Sequence, residues 1–543
     1  QSVPERCRTI VDQLNFYNGF YIFRKEAFEG FNGVFSLEKD VFPKLIQDKK
    51  LGAFKVIQDN FIDMLPLNRR AKVRYDWSRS QQSEFNPKNI IVSPKDQKKI
   101  DKVVKENEIV VSAEIKKRLN LRNGQSININ IANLPRSLLF IKKKLDNKKL
   151  NRKQIEEIIE DVVKNNLSDP EVSLFISAMY KNGMNFKETT YLIKAILKTG
   201  TKFKWKNKLL ADKHSIGGIP GNRTTPLVIP ICAAAGLSMP KTSSRSITSA
   251  AGTADVMETI AKIEFSPREL KHIMSTVGSF MVWGGSLGMV PADSKIIRIE
   301  KALKIDPEAQ LLASIIAKKL ASGSKYILID IPYGKNAKVS RQKGLKLKKK
   351  FEKLGGFFRK RIKVVLTDGK QPIGNGVGPA LELIDVINIL DPSKQGPKDL
   401  EDKAILLSAH LLEMTGKAKK SKDQSKAIEL AKEMLSSGKA FEKFKQIIKA
   451  QKGKVTDLKP GKFKKHIFAK RSGKIKEIHN KKINLLAIAT GCPADKFAGL
   501  YLNVKLGDKV KKGDKLLTIY SESKPRLNSS IKLYEKSRPI KLG

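Results

Sequence analysis

The chain has 543 residues, 40% of them apolar, which allows about three or four domains and excludes a chain disordered throughout. Its formal net charge of +52 fits either a nucleic-acid binder or a lysine-rich surface that steers anions; the lysines are spread through every segment without an aromatic-interleaved stripe, so a nucleic-acid partner is not expected. No apolar run approaches the roughly 20 residues that span a membrane, no signal-peptide pattern precedes the fold, Cys7, Cys232 and Cys492 form no CxxC pair, and the five histidines are scattered; the expectation is a cytoplasmic protein without a disulfide framework or a metal.

In chain order, 109–131 reads as a small β-rich unit. Arg152–Asn165 then places Ile155, Ile158, Ile159, Val162 and Val163 on one helical face. Ser168-Asp-Pro-Glu171 opens a second helix, and Asn185-Phe-Lys-Glu188 gives a third the spacing of a capping box, with Gly200 expected to close it. After this helical block, Leu209–Lys213, Tyr326–Ile331 and Lys363–Thr367 read as strands of a parallel sheet, each followed by a glycine-containing turn and a helix. Ligands of such sheets gather at the carboxyl ends of the strands. The apolar stretch Leu227–Met239, broken by Pro230 and Gly236, reads as a buried helix and strand, and 421–452 returns to helix. From about Lys470 the chain is β-rich, with Leu506–Leu517 expected to form a tight hairpin. No internal repeat at solenoid spacing is present.

The densest chemistry lies in Lys213-His-Ser-Ile-Gly-Gly-Ile-Pro-Gly-Asn-Arg-Thr-Thr225, Lys241-Thr-Ser-Ser-Arg-Ser-Ile-Thr-Ser249 and Gly252-Thr-Ala-Asp255. Glycines let backbone N–H groups approach an anion, hydroxyls add neutral donors, and Lys and Arg bring charge. Two such pieces separated by an apolar run predict phosphate binding, with provision for two anions at once. Gly374-Asn-Gly-Val-Gly378, by contrast, reads as a turn opening a helix, Trp283-Gly-Gly285 as packing with a hinge, and Asp306 before Pro307 has the form of a helix cap.

Asp212–Glu258, Trp283-Gly-Gly285, Pro291-Ala-Asp293, Ile305–Ser314, Leu328-Ile-Asp-Ile-Pro332 and Leu366–Gly376 together resemble the thymidine/pyrimidine-nucleoside phosphorylase superfamily, from about Ala71 to about Leu533. Gly221-Asn-Arg-Thr224 and Ser244–Ser249 are similar to its AMP-using branch. The resemblance implies an α/β fold: a helical domain and a parallel-sheet α/β domain, with small β-rich N- and C-terminal domains. The boundaries would be 71–136 for the N-terminal domain, 137–208 with about 291–322 for the helical domain, 209–290 with 323–455 for the α/β domain, and 456–543 for the C-terminal domain. It implies a pentosyltransferase that cleaves AMP, and also CMP or UMP, with phosphate to free base and ribose 1,5-bisphosphate. No cofactor is implied, since inorganic phosphate is a substrate; a homodimer or larger homo-oligomer is.

Residue by residue, Lys213, Ser215, Thr225 and Ser243 match the cradle of the attacking phosphate. Gly218, Ser244, Arg245, Ser246, Ile247, Thr248, Ser249, Thr253, Ser314 and Lys338 match positions that contact the nucleotide, and Thr253 fits either anion. Asp306 matches the proton donor, with His214 as the competing acid. Arg223 is a further candidate for the 5′-phosphate and Lys318 a further site residue, neither being a family assignment. Tyr17–Gly30, Phe35–Ile46 and Phe61-Ile-Asp63, within 1–70, instead resemble the late portion of sugar-nucleotidyltransferases, where Asp63 matches a metal-holding position. Without that family's Gly-rich loop, the stretch is expected to be an inactive remnant of a truncated or spurious fusion. Two rivals stand beside the nucleotide phosphorylase: a nucleoside phosphorylase with no use for the 5′-phosphate, and an inactive basic RNA-binding protein.

Overall fold

The computed structural model describes residues 134–543 apart from Lys208, Ile247, Thr248 and Lys422, together with Val73–Tyr75, Ile90–Val92, Arg122, Asn123 and Gln125. The chain divides into two units, Gln1–Leu134 and Pro135–Gly543. In the first, β1 (Val73–Tyr75) pairs antiparallel with β2 (Ile90–Val92). The nucleotidyltransferase-like stretch with Asp63 and the β-rich run at 109–131 lie outside the described residues.

The second unit opens with helices α1 (Ser137–Leu145), α2 (Arg152–Lys164), α3 (Asp169–Asn182) and α4 (Phe186–Lys198). Local chemistry starts each of the last three. Asn151 caps Gln154 and Asn185 caps Glu188, each receiving the reciprocal bond, while Ser168 N and Oγ both donate to Glu171. Glu188 has a second task, because its other oxygen takes the buried Lys144 ammonium and the Leu150 amide, each at 3.0 Å. Gly200 does not act as a left-handed cap; α4 already ends at Thr199. Its lack of a side chain serves close approach, since a Cβ there would lie 1.8 Å from the Met289 carbonyl oxygen.

The sheet follows: β3 (Ala211–Ser215), α5 (Thr225–Ala234), β4 (Met239–Ser243), α6 (Thr253–Met257), α7 (Pro267–Thr276) and β5 (Ser279–Trp283). Next come α8 (Pro291–Leu303), α9 (Glu308–Ala321), β6 (Tyr326–Tyr333), α10 (Arg341–Phe357) and β7 (Arg361–Asp368). All pairings are parallel: β3 with β6, β6 with β7, β4 with β5, and a single Leu210–Ser238 bridge joins β4 to the start of β3, giving the order β5-β4-β3-β6-β7. Alternate residues of β6 face opposite cores. Ile327, Ile329 and Ile331 pack with the helical block, Leu328 with the helices on the other face. Those helices include α5 and, after β8 (Gly376–Val377), α11 (Pro379–Leu390), α12 (Lys398–Met414), α13 (Ser425–Ser436) and α14 (Lys439–Ala450).

The C-terminal part comprises β9 (Phe463–Phe468), β10 (Gly473–Ile478), α15 (Asn480–Ala489), β11 (Gly499–Leu502), β12 (Lys509–Val510), β13 (Lys515–Ser521), α16 (Lys524–Ser537) and β14 (Ile540–Leu542). The expected hairpin at Leu506–Leu517 does not form: β12 pairs with β10, and β13 pairs with β11 and β9. The repeated Gly-Asp makes two separate turns, at Gly507 and Gly513, in which Asp508 accepts from Lys505 N and Asp514 from Lys511 N. Between the turns the two residues of β12 are too few for a hairpin arm. One sheet, in the order β8-β11-β13-β9, recruits its first strand from the segment just before α11.

Candidate active site

Because the sheet is parallel, the loops after β3, β4 and β6 leave from one end, and the residues singled out above collect there. Beyond β3, Gly217 and Gly218 take φ of 81° and 94°, a left-handed turn that a side chain would strain. A Cβ on Gly218 would sit 3.0 Å from Lys338 Cβ, so this turn lies against the loop that follows β6.

The cations beneath the turn are buried and matched. Lys213 Nζ donates to Thr224 Oγ1, the hydroxyl next to the predicted Thr225. Burial pushes the Lys213 ammonium down to about 7; Asp330 resists, while Lys403 and Arg223 add to the shift. Asp212, next to Lys213 on β3, accepts from Lys241 Nζ at 3.2 Å and from Lys319 Nζ at 2.6 Å. Asp330 takes the Thr367 hydroxyl at 2.6 Å and pairs with Lys403 at 3.1 Å. Burial opposes ionisation of Asp330, yet Lys403, Lys213 and Thr367 hold its carboxyl below the usual range. His214 stands among Lys319, Lys241, Lys318 and Lys213; burial first, then these charges, depress its pKa well below the usual value. A neutral imidazole is a much weaker proton donor than an imidazolium.

Two polar atoms here have no partner among the described residues: Ser243 Oγ at the end of β4 and Asn222 Oδ1. An unsatisfied buried hydroxyl at a strand's carboxyl end is what an anion site leaves when the protein supplies donors alone. Ser215 Oγ is near the Gly217 amide at 3.4 Å and the Asn222 amide group at 3.3 Å.

Arg223 has partners within the protein. Its Nε donates to Glu382 at 2.6 Å, one terminal nitrogen to Thr253 Oγ1 at 2.9 Å, and the other to the Ala251 carbonyl at 2.8 Å. Burial pushes the Glu382 carboxyl up while Arg223 pulls it down, so the pair forms a buried brace. Arg245 is likewise engaged: Glu258 grips it bidentately at 2.7 and 2.8 Å, Asp255 and Glu264 lie at 3.4 and 3.5 Å, and Trp283 stacks 5.0 Å away. These contacts shape its loop. In that loop Asp255 accepts from Ser246 N and Gly252 N, Ser249 Oγ donates to Ala251 O, and Lys301 Nζ of α8 reaches Ser246 O. Ser244 O accepts weakly from Ala254 N, 3.4 Å away. Ile247 and Thr248 lie outside the described residues. The loop is also held from the C-terminal part, where Asn484 Oδ1 accepts from Ala250 N at 3.2 Å.

Opposite stands a carboxylate side. Asp306 does not cap α9, whose capping residue is Pro307; it pairs instead with Lys338. Asp293, fully buried, takes Lys318 at 2.7 Å and Gln310 at 3.0 Å, and Lys318 also donates to Ser314 Oγ at 3.0 Å. Glu300, in the last turn of α8, has a buried Oε1 without a partner among the described residues. Burial pushes its carboxyl up to about 8, Asp306 and Asp293 add to the rise, and Lys338 and Lys318 oppose it. The backbone at Gly374–Gly378, a glycine-rich run, is filled from within: Asp385 accepts from Asn375 N and Gly376 N, and Glu382 from Gly378 N. Among the described residues no group of three potential metal ligands occurs, and no helix is long and apolar enough to cross a membrane.

Family models match three segments: a glycosyl transferase family helical bundle domain over 139–200, a glycosyl transferase family a/b domain over 207–441, and a pyrimidine nucleoside phosphorylase C-terminal domain over 474–541. AMP phosphorylase of Methanococcus vannielii is 43% identical over 442 residues, covering 81% of this chain and 87% of that protein. AMP phosphorylase of Pyrococcus furiosus is 43% identical over 448 residues, with 82% and 88% covered. The chain belongs to the AMP phosphorylase family. Among solved structures, anthranilate phosphoribosyltransferase from Thermus thermophilus matches with a TM-score of 0.47 at 17% identity, over 58% of this chain and 99% of that one.

As a member of the AMP phosphorylase family the chain is a pentosyltransferase; beside the residues singled out from sequence, the structure places Thr224 and Asp212 as partners of Lys213, Lys241 and Lys319, and a buried Glu300 near the carboxylates. One of them had a visible signal. Glu300 lies four residues after Ile296 and beside Ile299, both buried, so a helical projection of α8 puts a carboxyl on an apolar face.

Proposed function

We propose that this chain phosphorolyses nucleoside 5′-monophosphates, AMP first and CMP and UMP beside it, releasing the free base and ribose 1,5-bisphosphate. The observation that carries this reading is the continuity of its two sides. Gly218 lies against Lys338, and Lys338 holds Asp306, so anion turn and carboxylate share one end of the sheet. The reaction requires that closeness. A phosphate oxygen attacks C1′, the bond from C1′ to the base breaks, and its electron pair leaves with the base, which must be protonated as it goes. Lys213 and Ser243 are the proposed hosts of the attacking phosphate, with Ser215, Thr225 and Thr253; Asp306 is the proposed acid. Gly218, Ser314 and Lys338 would hold the nucleotide. The buried, unpartnered Ser243 hydroxyl supports the first assignment, and a neutral His214 supports Asp306 over its rival. Inorganic phosphate enters as the second substrate.

We also infer a homo-oligomer built through the helical block, where Leu139, Leu174 and Tyr180 are exposed. A cytoplasmic setting accords with the free thiols of the buried Cys232 and Cys492.

The decisive assay follows free base across AMP, CMP, UMP and their nucleosides, with and without phosphate. Phosphate-dependent release of adenine from AMP, with little from adenosine, is expected; equal turnover of adenosine would defeat the nucleotide reading.

A further inference from the structure

The loop that follows β6 brings Lys338 to the site, and it is a tight one. Tyr333 and Val339 bridge its ends, the Gly334 amide donates to the Val339 carbonyl at 3.3 Å, and the Ala337 amide donates to the Gly334 carbonyl at 3.2 Å. At its tip Asn336 takes φ of 67°, the left-handed region that asparagine tolerates better than most residues. Lys338, two residues on, lies against Gly218 and pairs with Asp306. So short a loop ties the direction of Lys338 to the placing of Asn336.

That placing comes from the C-terminal part. Glu477 of β10 accepts from Asn336 Nδ2 at 3.2 Å, and the same oxygen lies 3.3 Å from Lys335 Nζ. Its other oxygen takes Lys541 of β14 at 2.9 Å. A β-bulge aims the carboxylate: the register of β10 against β14 shifts between Ile475 and Glu477. Ile475 and Ile478, three residues apart, can then both enter the C-terminal core, and Glu477 is left to meet the loop. Lys335 is 82% exposed and Glu477 only 14%, so the Lys335 pair is weak and the bond from Asn336 to the carboxylate is the firmer attachment. Lys541 first, then Asn336 and Lys335, hold the Glu477 carboxyl down to about 2 against burial, which keeps it an anion at neutral pH. A second attachment lies three residues along. Asn480, fully buried at the start of α15, donates to the Gly369 carbonyl at 2.9 Å, and the Gly369 amide donates to the Tyr333 carbonyl at 2.8 Å. Tip and base of the loop are thus held by Glu477 and Asn480.

We propose that Glu477 is a positioning residue for nucleotide binding: through Asn336 it sets the loop that presents Lys338, so the C-terminal part completes the nucleotide side of the site. The inference rests on the phosphorolysis reading and deepens it. Lys213 and Ser243, the proposed hosts of the attacking phosphate, stand on β3 and β4, outside this chain of contacts. Breaking the attachment should therefore separate the two substrates.

Exchanging the partners tests this. Asn336→Asp keeps a residue that accepts the left-handed backbone and sets a carboxylate against Glu477. Adding Glu477→Gln restores a charge-assisted hydrogen bond with donor and acceptor reversed. Calorimetric titration of AMP into the full chain, without phosphate so that nothing turns over, should show affinity about tenfold weaker in Asn336→Asp and within about threefold of the parent in the double variant. In steady-state assays the KM for AMP should follow the same order, while the KM for phosphate stays within about twofold. Unchanged AMP affinity in Asn336→Asp, or no recovery in the double variant, overturns the proposal. So does an equal rise in both KM values, which is the mark of general damage to the fold. Should Asn336→Asp fail to fold by circular dichroism, Asn336→Gly, which keeps the backbone and drops the side chain, is expected to show the same loss of AMP affinity, and parental affinity there overturns the proposal. A parent that binds AMP but releases no base defeats the phosphorolysis reading alone, since the titration still decides the role of Glu477; a parent that binds no AMP overturns both.

Discussion

Around Lys213 the neighbouring charges are buried and paired inside the protein: Asp212 with Lys241 and Lys319, Asp330 with Lys403, and Glu382 with Arg223. Around Asp306 the ion pair is about a third exposed and one carboxyl, Glu300, has an oxygen with no partner among the described residues. The first region is preorganised: its geometry is fixed before any anion arrives, which lowers the reorganisation needed at reaction. The second is responsive, since an ion pair so exposed is weak and can be re-paired by what binds. A phosphorolytic site of the kind proposed gains from both, a rigid seat for the nucleophile and an acid in a more open setting.

The contrast can be broken from either side. The largest effect is expected at the responsive side: Asp306→Asn, which keeps the shape and removes the transferable proton, should lower kcat on AMP by about 10²–10⁴-fold with a smaller change in KM. A near-parental kcat would move the acid elsewhere. On the preorganised side Asp212→Asn should act on stability, because it leaves Lys241 and Lys319 buried without their shared counter-charge. Breaking such a group costs about 3–5 kcal/mol, measurable by denaturant unfolding, and a loss below about 1 kcal/mol would show the network to be dispensable.

The smallest effect concerns pH. Glu300, raised from 4.5 to about 8, keeps its proton in the folded chain across that interval while the unfolded chain has released it. The folded state therefore binds more protons, and stability contributed by this group declines as pH rises from about 5 toward 8. Glu300→Gln should flatten that decline, so the variant gains on the parent at pH 8 compared with pH 5. Melting curves of the two proteins at both pH values would show parallel slopes if Glu300 is ordinarily ionised.

What could be read from the sequence was mainly what neighbours decide. The capping box at Asn185, the helix start at Ser168, the isoleucine face of α2 and the parallel strands all follow from short spacings. The strand read at Leu209–Lys213 lies two residues further on, because Leu210 is drawn into the bridge with Ser238. Distant partners were not legible. A cation in a glycine-rich loop looks free for a phosphate until Glu382, 159 residues away, is seen to hold Arg223. The Leu506–Leu517 pattern has the letters of a hairpin, but β12 finds its partner in β10 and the local symmetry misleads. The same limit hid Thr224: two adjacent threonines are equivalent in sequence, and Lys213 chooses between them by direction.

The strand β8, taken from the segment ahead of α11 and laid at the edge of a C-terminal sheet, bears on where this chain can be divided. Val377 of that strand and Ala250 of the loop after β4 both belong to the C-terminal core, and Asn484 meets the loop from the same side. The architectural seam therefore runs through residues far upstream of the point where the C-terminal part begins in sequence. A cut in the linker near 456 would unpair a strand and unroof the loop at once. Shuffling this tail between relatives would require Ala250, Val377 and their surroundings to travel with it, which ties its inheritance to that of the catalytic body.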